Sequence, residues 1–148
     1  MRSWANGVAL VAALAIAYGC DTGTARSTEG TTRVADIQEA PDKYMGQTVT
    51  VVADVEEVHS PRAFSLDEDS PAAGGVDNDL LVLSPQAGNL SDIDDQWLNN
   101  KVRVTGKVGK MQIVEVEREL GWDLDPELEV EVEKARAVII ASAVQRVQ

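Results

Sequence analysis

Gly46–Val58, GQTVTVVADVEEV, is the stretch on which the fold turns. Val49, Val51, Ala53 and Val55 alternate with Thr48, Thr50, Asp54 and Glu56. A period of two sends alternate side chains to opposite faces, so the stretch reads as a strand with one buried face. Val52 interrupts the alternation, which suits a strand whose far half faces a second layer. Asn100–Met111, NKVRVTGKVGKM, echoes the pattern: Val102, Val104, Gly106 and Val108 alternate with Arg103, Thr105 and Lys107. Gly106 marks a bulge or sharp bend, as a small closed barrel requires. The two stretches read as two long bent strands of one barrel with the same geometric task.

Between them, Ser60-Pro61-Arg62 signals a turn, and Ala63–Leu66 reads as a short strand with Phe64 and Leu66 on one side. Asp67–Asp79, DEDSPAAGGVDND, is a loop with five acids and no base. Asp67, Asp69, Asp77 and Asp79 could offer oxygens to Ca²⁺, but their spacing is not that of an EF-hand, and a solvated loop is the simpler reading. Leu80–Leu83 reads as a strand buried on both faces. In the connection that follows, Leu90, Ile93, Trp97 and Leu98 recur at helical spacing, with Ser91 and Asp92 as caps and Trp97 as a plug for a barrel end.

The flanks complete the set. Val34 and Ile37 share one face of a turn; Pro41–Met45 predicts a short helical turn stopped by Gly46, with Tyr44 closing a barrel end. Gln112–Lys134 is the most acidic part, with nine acids from Glu115 to Glu133. Ile113, Val116 and Leu120 fit a helix ending at Gly121, while Val114 and Val116 fit a strand equally well. Asp125-Pro126 starts a helix with Leu128 and Val132 as its buried side. Ala137–Val147 is the closing strand.

The totals bound the function. The chain has 148 residues, enough for one domain, and 13 basic against 25 acidic residues give a net charge of -12. That charge opposes binding to nucleic acid and electrostatic adhesion to anionic lipid. The single cysteine, Cys20, excludes an internal disulfide and a Cys-based zinc cluster, and the single histidine, His59, excludes a His-rich metal site. No cofactor and no metal are expected.

At the N-terminus, Arg2, the apolar run Val8–Ala17 and the small residues before Cys20 have the layout of a secretory signal. The run falls short of the roughly 20 residues a membrane-spanning helix needs. AYGC resembles a bacterial lipobox, with Ala17 where Leu is usual and a bulky Tyr18. The expected organisation is a lipoprotein signal at residues 1–19, a lipidated Cys20 with a flexible Thr/Ser/Gly-rich tether through residue 32, and a folded domain over 33–148.

The order of elements, with DKYMGQTVTVVADVEEVHSPRAFSLDED, DLLVL and NKVRVTGKV, resembles a family of small bacterial envelope proteins with OB-type barrels, often lipoproteins and mostly uncharacterised. The matching positions are Tyr44, Gly46, Val49, Pro61, Phe64, Val102, Val104, Gly106 and Val108; Ala53 departs from the family's usual Gly. The resemblance implies a mainly β, five-stranded OB-fold-like barrel with short helices, and carries no site with it.

OB barrels take ligands across their second and third strands and flanking loops. The candidate binding surface is therefore Arg62, Phe64, Leu66, Asp67, Asp69, Asp77 and Asp79, with Leu81 and Leu83 beside them. The expected role is a non-catalytic binding or scaffold module, anchored extracytoplasmically to a membrane through Cys20, with a basic envelope protein or peptide as its partner. A divalent-cation-dependent interaction is the alternative. A hydrolase ranks below both: His59 stands beside Ser60 in sequence with no identifiable third group, and adjacency is not triad geometry.

Overall fold

The computed structural model describes residues 30–68, 79–86, 91–109 and 112–148. Cys20 and the signal, most of the tether, and Asp69, Asp77 and Leu90 lie outside them. Among the described residues, no helix is long and apolar enough to cross a membrane.

Five strands, β1 (Thr48–Ser60), β2 (Ala63–Asp67), β3 (Leu80–Leu83), β4 (Lys101–Gly109) and β5 (Val138–Arg146), close into a barrel in the order β1-β2-β3-β5-β4. The β3–β5 seam is parallel, through Leu81↔Val138, Val82↔Ile139 and Leu83↔Ile140; the other pairings are antiparallel. This is the expected OB-fold-like arrangement. The 13-residue β1 holds it together, pairing with β4 through Thr48–Asp54 and with β2 from Asp54 to Ser60. Asp54 is the hinge between the two ladders and carries a 2.9 Å ion pair to Lys101.

The barrel interior is filled by β-branched and aliphatic side chains: Val49, Val51, Ala53 and Val55 from β1, Val102, Val104 and Val108 from β4, and Ile139 from β5. Helix α1 (Val34–Glu39) adds Val34 and Ile37 to the same cluster. Tyr44 and Trp97 pack against it from partly buried positions. The Arg146 guanidinium sits 4.3 Å from the centre of the Trp97 ring, a cation–π contact at the end of β5.

A second core lies outside the barrel. Helices α2 (Ile113–Leu120) and α3 (Pro126–Lys134) lay Val116, Leu120, Leu128 and Val132 on the outward side chains Ala63, Leu81, Leu83, Val138 and Ile140. The helical alternative at Ile113–Leu120 is the one adopted. Val116 is buried while Val114 is 72% exposed, a contrast a half-buried strand would not give. Gly121 ends α2 in the left-handed conformation, φ 75°. Asp125 caps α3, its side chain accepting from Leu128 N at 2.9 Å, with Pro126 first in the helix. The cover is tied to the end of β3: Gln86 N donates to Leu120 O at 2.7 Å, and Trp122 Nε1 donates to Ser84 O at 3.0 Å.

Two local expectations are corrected. The second layer covers β2, β3 and β5, whereas Val52 is half-buried and belongs to neither core. The turn before β4 is only Asp95–Trp97, capped by Asp94 and not by Ser91 or Asp92. Ile93 explains this: it is buried, and its N–H donates to Pro61 O at 2.9 Å, so the chain is held extended until Asp94.

Candidate functional site

Two irregularities in β1 build the site. Val55 faces Leu66 and Glu57 faces Ser65, so Glu56 has no opposite residue; Val58 faces Phe64 and Ser60 faces Ala63, so His59 has none either. Each extra residue resets the pleat, as bulges do. Val55 and Val58 thus both reach the interior although three apart, and Glu57, His59 and Ser65 share the outer face.

There, His59 Nε2 and Ser65 Oγ are 2.8 Å apart, and Glu57 Oε1 lies 3.9 Å from His59 Nδ1. The His59 ring is 16% exposed and Glu57 is 67% exposed. These three residues, with Gln38, Asp79, Glu131, Lys134 and Arg136, line a cleft of about 440 Å³. A neighbouring cleft of about 650 Å³ shares Glu57, His59 and Glu131 and continues along α3 past Asp125 and Glu127.

Where Asp79 lines the cleft it also meets two further acids: carboxylate oxygens of Glu56, Asp67 and Asp79 lie within 4.8 Å of one another. The Glu56 carboxyl is raised from its ordinary 4.5 to about 7, first because it shares a hydrogen bond with Asp79, then through desolvation and the charges of Asp79, Asp67 and Glu57. The protonated carboxyl donates, and Asp79 accepts. Asp79 is held from behind: Gln38 Nε2 donates to Asp79 O at 2.6 Å, and Arg136 donates to Gln38 O at 3.3 Å. Glu68, next to Asp67, accepts from Arg33 Nε at 3.2 Å and from Ala35 N at 3.4 Å. Both ends of the β2–β3 connection are thereby tied to α1 and its lead-in.

The sequence-derived surface is redistributed. Asp67 and Asp79 do meet, and the third acid is Glu56. Asp69 and Asp77 lie outside the described residues. Phe64 and Leu66 are both 0% exposed and belong to the barrel interior, which removes them from any binding surface. Leu81 and Leu83 face outward but lie under α2 and α3. The β2–β3 face that OB barrels offer to ligands is therefore occupied by the chain's own β4–β5 connection. Arg62 stands apart from the acids: its guanidinium donates to Pro85 O at 3.0 Å, lies 3.7 Å from Asp92, and lines a separate cleft of about 400 Å³ beside Trp122. Glu56 and His59 escaped sequence reasoning as site partners because their placement depends on the bulges. The three-residue step from Val55 to Val58 was the signal for the first.

The Glu56 shift has a pH consequence. Below pH 4.5 the carboxyl is protonated in both folded and unfolded chains; between 4.5 and about 7 the unfolded chain gives up the proton and the folded chain keeps it. Stability is therefore expected to fall as pH rises through that window. Glu56→Gln keeps an amide donor for Asp79 and removes the titration, so it should flatten the decline and leave the variant more stable than wild type above neutrality. Urea unfolding across the window measures both; parallel curves would contradict the shared proton.

Compared with known protein families and curated proteins, the chain matches none.

Proposed function

We propose that the chain is an extracytoplasmic lipoprotein, held to a membrane through lipidated Cys20, whose barrel serves as a binding or scaffold module. The observation that carries the binding role is the burial of the outer faces of β3 and β5 under α2 and α3. With that face taken, we assign the partner to the open cleft between β1–β2 and α3, the more acidic of the clefts among the described residues. Its lining carries Glu57, Asp79 and Glu131 against Lys134 and Arg136, and the chain has a net charge of -12, so a basic protein or peptide is the complementary partner. The role needs no chemistry from the barrel.

Crosslinking from the anchored protein in its native cell tests the partner: capture of a basic protein that Glu57→Lys abolishes supports the reading, and capture unaffected by Glu57→Lys overturns this cleft as the surface. Acyl chains contribute about 0.8 kcal/mol per buried methylene. Cys20→Ser is accordingly expected to move the protein from the membrane fraction to the soluble fraction. A variant that stays membrane-bound ends the anchor reading.

A divalent-cation-dependent interaction is the second reading, favoured by the convergence of Glu56, Asp67 and Asp79. Carboxylate oxygens are the ligands Ca²⁺ takes. No heat and no thermal stabilisation at millimolar Ca²⁺ would remove it.

A further inference from the structure

We propose that Ser65 is a nucleophile activated by His59, and that the cleft before it accepts small neutral or cationic acyl esters. This goes beyond the binding role, which stands whether or not Ser65 reacts. In the sequence, the hydroxyl beside His59 is that of Ser60. In the fold the imidazole turns to Ser65, across the β1–β2 ladder, because the bulge at His59 moves its ring to the outer face.

A serine, a base and a carboxylate stand in line on the outer face. Ser65 Oγ is 2.8 Å from His59 Nε2, within reach for direct proton transfer. Glu57 Oε1 is 3.9 Å from Nδ1, beyond a hydrogen bond but on the side where a carboxylate stabilises an imidazolium. Arg136, whose guanidinium donates to Gln38 O, lines the same cleft and adds positive charge to its wall. Ser65 is 6% exposed and opens on a cleft of about 440 Å³, the size of a small-ligand site. Glu57, Asp79 and Glu131 outnumber Lys134 and Arg136 on the same walls, which disfavours anionic esters.

In the step itself, Ser65 Oγ attacks the ester carbonyl carbon as its proton passes to His59 Nε2. The bond to the alcohol oxygen then breaks, and that oxygen takes the proton from His59, leaving acyl-Ser65. Water gives a proton to His59 as it attacks the acyl carbon; the bond to Ser65 Oγ then breaks, Oγ takes that proton back from His59, and the carboxylic acid leaves. No other reactant is needed.

The test uses the full chain in detergent, a fluorophosphonate probe, which loses fluoride to the attacking serine, and 4-nitrophenyl acetate. One adduct mapped to Ser65 is expected, none in Ser65→Ala, and a labelling rate about 100-fold lower in His59→Gln. His59 is the chain's one histidine, so diethyl pyrocarbonate followed by hydroxylamine should switch labelling off and on in the wild-type chain, without a variant that must fold. Folded wild-type protein with no adduct on Ser65, or labelling indifferent to His59, overturns the proposal and leaves the binding reading in place. Labelling at Ser65 with no partner captured in the cell has the opposite consequence.

Discussion

Phe64→Ala is expected to lower the free energy of unfolding by about 3–5 kcal/mol. The side chain is fully buried, heads the largest fully buried residues, and sits opposite Val58 on one side and Val82 on the other. Removing the ring leaves a cavity walled by three strands of a closed barrel, and a barrel cannot collapse on a gap by sliding one layer over another. The loss is a large share of the roughly 5–15 kcal/mol that small domains have. Urea denaturation gives the number, and circular dichroism confirms what remains folded. The measurement also separates two views of this residue. A surface Phe that stacked on a ligand would, when truncated, weaken binding at nearly unchanged stability. A change below about 1 kcal/mol would return Phe64 to the surface and contradict the packing.

Why the sequence alone misplaced Phe64 follows from the composition of β2. Alternation puts Phe64 and Leu66 on one side, which is correct, but Ala63 and Ser65 on the other side are buried as well. Period two says which residues share a face; it does not say which face is inside when both are covered. The cover itself, α2 and α3, is written in the acidic stretch 113–134, where acids and apolar residues interleave. Asp125-Pro126 made its second helix legible, while Val114 and Val116 left the first level with a strand; the destination of both was hidden, because docking on β3 and β5 is a long-range contact with no local signature. The strands were legible for the opposite reason: β1 and β4 each bury one face only, so their alternation shows, with Val52 its one break in β1. Register was the remaining gap. Both irregularities of β1 lie in the half that pairs with β2, past Asp54, and they decide that Glu56 meets Asp79 and that His59 meets Ser65.

Gly106→Ala should be at least as damaging, at about 3 kcal/mol or more, above the usual range for an overpacked site. Gly106 lies between β1 and β5, opposite Val49 on one side and Ala141 on the other, at a shift in the β4–β5 register. Thr105 faces Ala143 and Gly106 faces Ala141, so Ser142 is the extra residue; its hydroxyl donates to Thr105 O at 3.1 Å. The bulge brings β5 so close that a β-carbon on residue 106 would run into the carbonyl oxygen of Ile140, the Cγ2 of Ile139 and the Cα of Ala141, the last at 2.9 Å. Two of these three atoms belong to the backbone, and no rotamer change moves them. Relief would require opening the β4–β5 ladder, which is one wall of the interior core. Ile139→Ala added to Gly106→Ala is therefore expected to restore little, since it removes the Cγ2 and leaves the oxygen. Gly46→Ala provides the calibration: its φ is 75° but nothing lies within 4 Å of the added carbon, so it should cost only the left-handed backbone preference, about 1–2 kcal/mol. If Gly106→Ala proves no worse than Gly46→Ala, or if Ile139→Ala rescues it, the close approach of β5 to β4 is not what demands glycine there.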